Sequence, residues 1–250
     1  MASRRLLLTV ALLVAAALSA GAVEPKRVLV FGDSVAWGWV PQADGFPSTR
    51  YPADVRWPGV MRAELGPGYE VVEDNLNGRT TDITPPLESA SLPGAGYNGA
   101  AALPASIASQ MPLDLVVLAL GQNDLRLENR RTPLEIGLAA MRLVTIVQGS
   151  AGATATEYPA PAALLVAPAP MPPSVADGPF REVFGGASAR SRELGPIYAR
   201  LAAAAGVPFL DAGKVTRVDG VDSVHLTPDA HAALGKAVAA AVRMLVPLDQ

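Results

Sequence analysis

The stretch KRVLVFGDSVAWGW, residues 26–39, combines an apolar run with a serine directly after it. The run VLVF, residues 28–31, predicts a strand that is buried on both faces of a parallel sheet. It stops abruptly at Gly32-Asp33-Ser34. Open α/β sheets bind ligands at the carboxyl edge of their strands, where helix N-termini present free N–H groups. Ser34 is therefore a candidate nucleophile, although Gly-Asp-Ser is also a common turn composition.

The composition excludes several classes of protein. The chain has 250 residues, is 50% hydrophobic and carries a formal charge of -3, which suits one α/β domain and offers no basic patch for nucleic acid. It has no cysteine, so disulfides, thiolate metal sites and a cysteine nucleophile are excluded. The two histidines, His225 and His231, show no zinc-binding spacing. We expect no metal and no cofactor.

The N-terminal segment, residues 1–22, has the features of an export signal. Arg4 and Arg5 precede an apolar run over residues 6–18, and the small residues 20–22 follow in the pattern that signal peptidase accepts. The run is shorter than the ~20 residues that span a bilayer, so a retained anchor is the less favoured alternative. We expect residues 23–250 to form a single periplasmic or secreted domain without membrane contact after cleavage.

The remaining chain predicts four more strands that alternate with helices. The predicted strands are 69–73, 114–120, 162–166 and 207–210, and the main predicted helices are 57–65, 132–147, 188–205 and 227–246. Thr132 and Glu135 have the spacing of a capping box, and Thr227 is the predicted N-cap of the last helix. This alternation, without a repeat or linker, predicts a three-layer α/β/α sandwich with a five-stranded parallel sheet.

Polar loops follow the predicted strands at one edge of this sheet. The second strand leads into NLNGRTT, residues 75–81, and the third leads into GQND, residues 121–124. The segment DSVH, residues 222–225, precedes the last helix. These loops supply a serine, a histidine, a carboxylate, a glycine and an asparagine, which are the groups that acyl transfer requires.

The same residues resemble the four signature blocks of the SGNH hydrolases, also called GDSL esterases. The blocks are GDS at 32–34, NxNGRT with Gly78, GxND with Asn123, and DxxH with Asp222 and His225. Their order matches as well, and together they extend over the mature chain. The resemblance implies the flavodoxin-like fold of that family. Segments such as FGDSVAWGWVP and DGVDSVH are similar to its bacterial arylesterase/acyltransferase branch, the perhydrolases.

The four blocks supply a complete set of candidate catalytic groups. A serine hydroxyl is a poor nucleophile unless a base lies within hydrogen-bond reach, and His225 is the predicted base for Ser34. Asp222 would accept the Nδ1–H of that histidine. The N–H groups of Ser34 and Gly78 and the side-chain amide of Asn123 would form the oxyanion hole. Ordinary turn roles are the alternative for Gly78 and Asn123.

Other residues near the blocks are predicted to support the loops or to form pocket walls. Asp33 and Asp124 are predicted to be structural, and His231 to lie on a helix surface or at the edge of the core. The predicted substrate-pocket residues are Val35, Trp37, Trp39, Gln122, Phe180 and Phe184. Core or subunit packing is the alternative for the aromatic residues. Val35 and Gln122 stand where the resemblance implies Leu and Thr, which bears on pocket shape.

These assignments predict a serine esterase that hydrolyses small aryl or alkyl esters through an acyl-enzyme. An apolar rim would also favour acyl transfer to alcohols or hydrogen peroxide. A carbohydrate O-acetyl esterase is one alternative, and a catalytically silent ligand-binding module on the same fold is another. The expected partner is a small-molecule ester and not nucleic acid. The resemblance further implies a homo-oligomer in which the long loop 37–57 makes subunit contacts.

Overall fold

The computed structural model describes residues 24–85 and 93–248, so the predicted export signal lies outside the described residues. Five parallel strands form one sheet in the order β2-β1-β3-β4-β5. The strands are β1 (Lys26–Gly32), β2 (Tyr69–Asn75), β3 (Leu115–Ala119), β4 (Ala162–Ala167) and β5 (Phe209–Asp211). The α-helices are α1 (Ser34–Trp37), α2 (Trp57–Leu65), α3 (Gly99–Gln110), α4 (Pro133–Gln148), α5 (Arg181–Phe184), α6 (Ala187–Ala205) and α7 (Pro228–Leu245).

Helices cover both faces of the sheet and bury an apolar layer on each. One layer joins α3, α4 and α6 to side chains that include Leu29 and Phe31 of β1. The other joins α2 and α7 to Val28 and Val30 of the same strand. Strand β1 serves both layers because successive side chains of a strand point to opposite faces. The predicted three-layer sandwich around a five-stranded parallel sheet is confirmed.

The strand order places a crevice between β1 and β3. Helix α2, which follows β1, packs on one face of the sheet, whereas α4, which follows β3, packs on the other. The loops that leave these two adjacent strands therefore diverge at the carboxyl edge of the sheet. Ligand sites of open α/β sheets form at such a switch point.

The capping interactions agree with the sequence at one helix and differ at another. At α4, Thr132 Oγ1 accepts from the Glu135 N–H, and the Glu135 carboxylate accepts from the Thr132 N–H at 2.8 Å, which confirms the capping box. Thr227 lies at the N-cap of α7, but its side chain makes no capping hydrogen bond. Its hydroxyl donates instead to the Asp219 carboxylate at 2.7 Å, and the same carboxylate accepts from the Thr227 N–H at 2.9 Å.

The long loop between α1 and α2 is tied to the edge of the sheet. Trp39 and Arg50 form an antiparallel bridge within it. Arg56, at its end, donates to both carboxylate oxygens of Glu73 on β2, at 2.7 and 3.0 Å. These contacts hold the loop over the carboxyl ends of the strands.

Candidate active site

Ser34, His225 and Asp222 form a continuous chain of hydrogen bonds. Ser34 is the first residue of α1, directly after β1, and its Oγ lies 2.9 Å from His225 Nε2. His225 Nδ1 lies 2.7 Å from Asp222 Oδ2. The three residues are 6%, 4% and 0% exposed, respectively. The structure thus brings the three predicted catalytic residues together although Ser34 and His225 are 191 positions apart.

The carboxylate of Asp222 is fixed by three hydrogen bonds within its own loop, one of them to the His225 ring. Its Oδ1 accepts from the backbone N–H groups of Val224 and His225, at 3.0 and 2.9 Å. Burial by itself raises the pKa of Asp222, but the hydrogen bond and charge of His225, with the two N–H donors, outweigh burial and leave the pKa lowered. Asp222 is therefore ionised and orients the imidazole ring of His225.

Three predicted oxyanion donors line the same cavity as this hydrogen-bonded chain. The cavity, of about 180 Å³, is bounded by Ser34, Gly78, Asn123 and His225 among others. Within residues 24–85 and 93–248, the N–H groups of Ser34 and Gly78 have no hydrogen-bond acceptor. Asn123 Nδ2 lies 3.1 Å from the Arg79 carbonyl oxygen. Two backbone donors without an acceptor and the Asn123 amide, which also lies 3.5 Å from Asp33 Oδ2, therefore border the same cavity as the Ser34 hydroxyl.

The backbone at Gly78 and Gly121 positions these donors. Gly78 has φ +82, a backbone conformation that residues other than glycine rarely adopt. Gly121, directly before the loop that carries Asn123, has φ +125, and a Cβ there would overlap the hydroxyl of Tyr198. That hydroxyl donates to the Leu120 carbonyl oxygen at 3.1 Å. The loop after β3 is thus held against α6.

Two further buried carboxyl groups connect the loops beneath the cavity. Asp33 Oδ1 accepts from the Val35 N–H and caps α1. Asp124 accepts from both the N–H and the hydroxyl of Thr81, at 2.9 and 2.5 Å. Burial raises the pKa of Asp33 to about 7 and that of Asp124 to about 6. Both residues brace the loops, as the sequence suggests.

Aromatic side chains form an apolar wall around His225. The Trp39 ring stacks on the imidazole with a centroid distance of 5.2 Å and an interplanar angle of 19°. Phe180 contacts the same ring edge-on at 5.9 Å. Phe46 bridges the two, 5.6 Å from Trp39 and 5.1 Å from Phe180. Phe184 extends this wall from Phe180, at 6.5 Å.

Three of the six predicted pocket residues lie outside this cavity. Trp39, Phe180 and Phe184 line it, but Val35 and Gln122 line a separate cavity of about 30 Å³. Trp37 packs against the Arg50 guanidinium, 5.1 Å from its ring centroid.

Val35 and Gln122 lie outside the cavity because neighbouring residues in a helical turn point in different directions. Val35 follows Ser34 in α1, and successive helical side chains differ by about 100°, so the side chain of Val35 points away from that of Ser34. Gln122 likewise precedes Asn123 and faces the other way, where its Nε2 donates to the Val224 carbonyl oxygen at 2.9 Å.

Several residues that line the cavity are absent from the sequence prediction. They are Phe46, Asn77, Tyr97, Arg126, Val183 and Val224. Arg126 could have been found, because it lies three residues after Asn123, about one turn of the 3₁₀ helix that the loop forms. Val224 adjoins His225, whereas Phe46 and Tyr97 arrive from loops without a periodic pattern.

His231 is a buried core residue, which corrects the expected position at a helix surface or core edge. It is fully buried on α7, and its Nδ1 accepts from the Trp57 N–H of α2 at 3.3 Å. Burial lowers the pKa of His231 to about 4, so the ring is neutral near pH 7. Across the described part of the chain, no cluster of three or more His, Cys, Asp or Glu side chains could hold a metal ion.

The chain is similar in sequence and structure to several esterases. Residues 30–233 match the GDSL-like Lipase/Acylhydrolase family. The aryl esterase of M. smegmatis is 45% identical, with a TM-score of 0.82, over 88% of this chain and 100% of that chain. A carbohydrate acetylesterase from Sinorhizobium meliloti is 40% identical, with a TM-score of 0.82 and the same coverage. Comparison with curated proteins gave no match.

Proposed function

The chain belongs to the GDSL-like Lipase/Acylhydrolase family and is an esterase, and we propose that Ser34, His225 and Asp222 are its catalytic triad. The observation that carries this proposal is the chain of hydrogen bonds from the Ser34 hydroxyl through His225 to the Asp222 carboxylate. Its order and its two distances, 2.9 and 2.7 Å, are those that a serine nucleophile and its base require.

In the first step, the Ser34 oxygen attacks the carbonyl carbon of the ester while its proton moves to His225 Nε2. Asp222 stabilises the imidazolium that forms. The negative oxygen of the tetrahedral intermediate accepts hydrogen bonds from the Ser34 and Gly78 N–H groups and from the Asn123 amide. Loss of one such donor typically lowers kcat about 100- to 1000-fold.

The intermediate then breaks its bond to the alcohol oxygen, which takes the proton from His225 Nε2 and leaves. The acyl group remains attached to Ser34. Water loses a proton to His225 as it attacks this acyl-enzyme, and collapse of the second intermediate releases the acid and restores the Ser34 hydroxyl. Every proton transfer in this cycle uses the same imidazole nitrogen.

The apolar wall supports small aryl or alkyl esters as substrates. Trp39 and Phe180 contact the imidazole that protonates the leaving alcohol and Phe46 packs against both, so an aromatic or alkyl alcohol would pack against this wall. The same wall disfavours ordered water, and we therefore propose acyl transfer to alcohols or hydrogen peroxide as a second activity. Adding an alcohol to the reaction should divert product from acid to the new ester.

Replacement of Ser34 tests the triad. Ser34→Ala removes the nucleophile, and we expect it to lower hydrolysis of 4-nitrophenyl acetate by at least 1000-fold. A fluorophosphonate probe should label the unmodified protein and not the variant. Ser109→Ala, at an exposed serine of α3, is the control and should retain both properties.

Retained turnover by Ser34→Ala with a native circular dichroism spectrum would contradict the triad. Absence of both labelling and turnover in the unmodified protein would favour a catalytically silent ligand-binding module instead.

A carbohydrate O-acetyl esterase is the second candidate function. It is supported by the similarity to two carbohydrate acetylesterases of Sinorhizobium meliloti, at 40% and 34% identity. Polar side chains on one side of the cavity, Asn77, Tyr97 and Asn123 among them, suit a hydroxyl-rich substrate. Comparison of kcat/KM for phenyl acetate and for an acetylated xylo-oligosaccharide separates the two candidates.

We also propose that the chain is exported to the periplasm or the medium and that it forms a homo-oligomer. The charged and apolar pattern of residues 1–22 supports export. Phe46 supports self-association, because it borders the cavity and is 65% exposed. The mass of the exported protein and its light scattering in solution test these two proposals.

A further inference from the structure

Arg126 places a guanidinium group on the polar side of the active-site cavity. The side chain is 19% exposed, so the charge is largely withdrawn from water. Its Nε atom is buried and has no hydrogen-bond partner among the described residues. Buried donors in native proteins almost always have an acceptor, so this side chain lacks a partner that its surroundings would normally provide.

The guanidinium lies next to Gly78, one of the proposed oxyanion donors. The Arg126 N–H donates to the Asn123 carbonyl oxygen at 3.3 Å, which fixes the backbone of the arginine to the loop after β3. A Cβ at Gly78 would lie 3.7 Å from Arg126 Nη2. The arginine charge is therefore within reach of a group attached to an ester whose carbonyl oxygen occupies the oxyanion hole.

The contacts of Arg126 with the other described residues use little of its hydrogen-bonding capacity. Glu128, 46% exposed, lies 3.5 Å from Nη1, longer than the 2.7–2.9 Å typical of a charged hydrogen bond. The Phe184 ring centroid lies 6.0 Å from Cζ, at the limit of a cation–π contact. Nη2 makes no hydrogen bond within the part of the chain that the structure describes.

A nearby arginine with a structural role shows the contrast. The Nε atom of Arg79 is also unpaired, but both of its terminal nitrogens are used. Nη1 donates to the carbonyl oxygens of Gly32 and Asp74, and Nη2 donates to the Asp74 carboxylate at 2.8 Å. That guanidinium has no free terminal nitrogen for a ligand, whereas Nη2 of Arg126 has no partner among the described residues and lies beside Gly78 of the cavity.

We propose that Arg126 binds a carboxylate carried by the ester substrate. The proposal rests on the proposed function, because it assigns a substrate class to the same cavity. A guanidinium donates short, charge-assisted hydrogen bonds to carboxylate oxygens, and the unpartnered Nη2 of Arg126 supplies the N–H groups for them. The apolar wall of Trp39, Phe46 and Phe180 holds the hydrocarbon part of the same ester. The preferred substrates are therefore esters with a free carboxyl group, in the acyl half or in the alcohol half.

Two matched substrate pairs test this preference and locate the carboxylate. For the acyl half, the pair is 4-nitrophenyl hydrogen glutarate and 4-nitrophenyl pentanoate. For the alcohol half, it is 4-acetoxybenzoate and its methyl ester. In at least one pair we expect kcat/KM to be about 10- to 100-fold higher for the charged member, since a hydrogen bond to a charged group contributes roughly that factor.

Variants at position 126 separate the charge from packing. Arg126→Gln should reduce the ratio of kcat/KM for charged over neutral ester to about 1, and Arg126→Lys should retain an intermediate ratio. Arg130→Gln removes an exposed charge from the same segment, outside the cavity, and should preserve the full ratio.

Equal kcat/KM within both pairs, or an equal loss on charged and neutral esters in Arg126→Gln, would overturn the carboxylate site. Failure of the unmodified protein to hydrolyse any of the four esters would instead overturn the proposed function, so the two failures are distinguishable.

Discussion

At the scale of single residues, the buried amide of Gln122 supports the loop that carries His225. Its Nε2 donates to the carbonyl oxygen of Val224, one residue before the histidine. Gln122 does not line the active-site cavity, so it acts on the reaction through the loop. Without this donor, the Val224 carbonyl would lose the hydrogen bond that fixes the residue next to the imidazole.

Gln122→Met tests this positioning role. The variant keeps a side chain of similar length and removes the donor, and we expect it to lower the free energy of unfolding by about 1–3 kcal/mol. We expect kcat to fall about 10-fold with little change in KM, because substrate contacts remain while the base is less well oriented. Gln148→Met, at an exposed glutamine of α4, is the control. An unchanged kcat in Gln122→Met would contradict the role.

Sequence alone located the residues of the hydrogen-bonded chain because each follows a strong local signal. Ser34 follows an apolar strand, and Asp222 and His225 precede a helix whose start is marked by Thr227-Pro228. Residue direction was harder to predict, because Val35 and Gln122 adjoin site residues but face the other way. The spacing of Arg126 from Asn123 indicates its position beside the site, but the lack of partners for its guanidinium nitrogens depends on three-dimensional packing.

At the scale of structural elements, the junction of β3 with its loop depends on the close contact between Gly121 and α6. A Cβ at Gly121 would overlap the Tyr198 hydroxyl, and φ +125 is strained for any other residue. Gly121→Ala should therefore lower the free energy of unfolding by about 2–5 kcal/mol and reduce kcat, because Asn123 lies two residues on. Thermal unfolding and 4-nitrophenyl acetate hydrolysis measure the two effects.

A double variant separates the steric clash from backbone strain. Tyr198→Phe removes the hydroxyl, so Gly121→Ala should cost less in its presence. Gly186→Ala is the matched control, because Gly186 also has positive φ, +80, but a Cβ there meets nothing within 4 Å. Equal losses from Gly121→Ala and Gly186→Ala would show that the contact with α6 is unimportant.

Element positions were well predicted where the apolar pattern was long and less well where it was short. The predicted strand 162–166 agrees closely with β4, whereas 207–210 was predicted for a strand that spans Phe209–Asp211. β5 is a three-residue edge strand, so few residues carry its signal. The burial of His231 was not predictable either, because it depends on which face of α7 packs against α2.

At the scale of the whole molecule, two buried groups make stability depend on pH in opposite directions. The pKa of Asp33 is raised by burial to about 7, so the folded state holds a proton that the unfolded state releases between pH 3.8 and about 7. Its contribution to stability is therefore lost as pH rises through this range. The pKa of His231 is lowered by burial to about 4, so its contribution is lost as pH falls from 6.5 to about 4.

Above pH 6.5, the contribution of Asp33 to the free energy of unfolding still changes with pH, whereas that of His231 does not. We therefore expect Tm to fall between pH 6.5 and 8. Asp33→Asn keeps a residue suited to the N-cap of α1 and removes the buried charge. The variant should raise Tm at pH 8 by roughly 5 °C or more and change it little at pH 4. Asp44→Asn, at an exposed carboxyl group, is the control. An equal shift at both pH values would contradict the assignment.

The sequence predicted the family and the esterase activity, and both are confirmed. The overall fold was predictable because five apolar strands alternating with helices allow few other arrangements. Subunit association and export remain proposals. Association depends on surface residues and export on residues 1–22, and the apolar pattern that predicts the strands and helices carries no information about either.

The stacking of Trp39 on His225 gives the protein a built-in optical probe. A proton on the imidazole would place a cation on the face of the indole ring, and protonated imidazole quenches indole fluorescence. We therefore expect the emission of Trp39, one of three tryptophans in the chain, to fall when the imidazole takes up a proton. In a Ser34→Ala background, where no turnover competes, stopped-flow fluorescence could follow ligand entry and proton uptake without any chromogenic substrate.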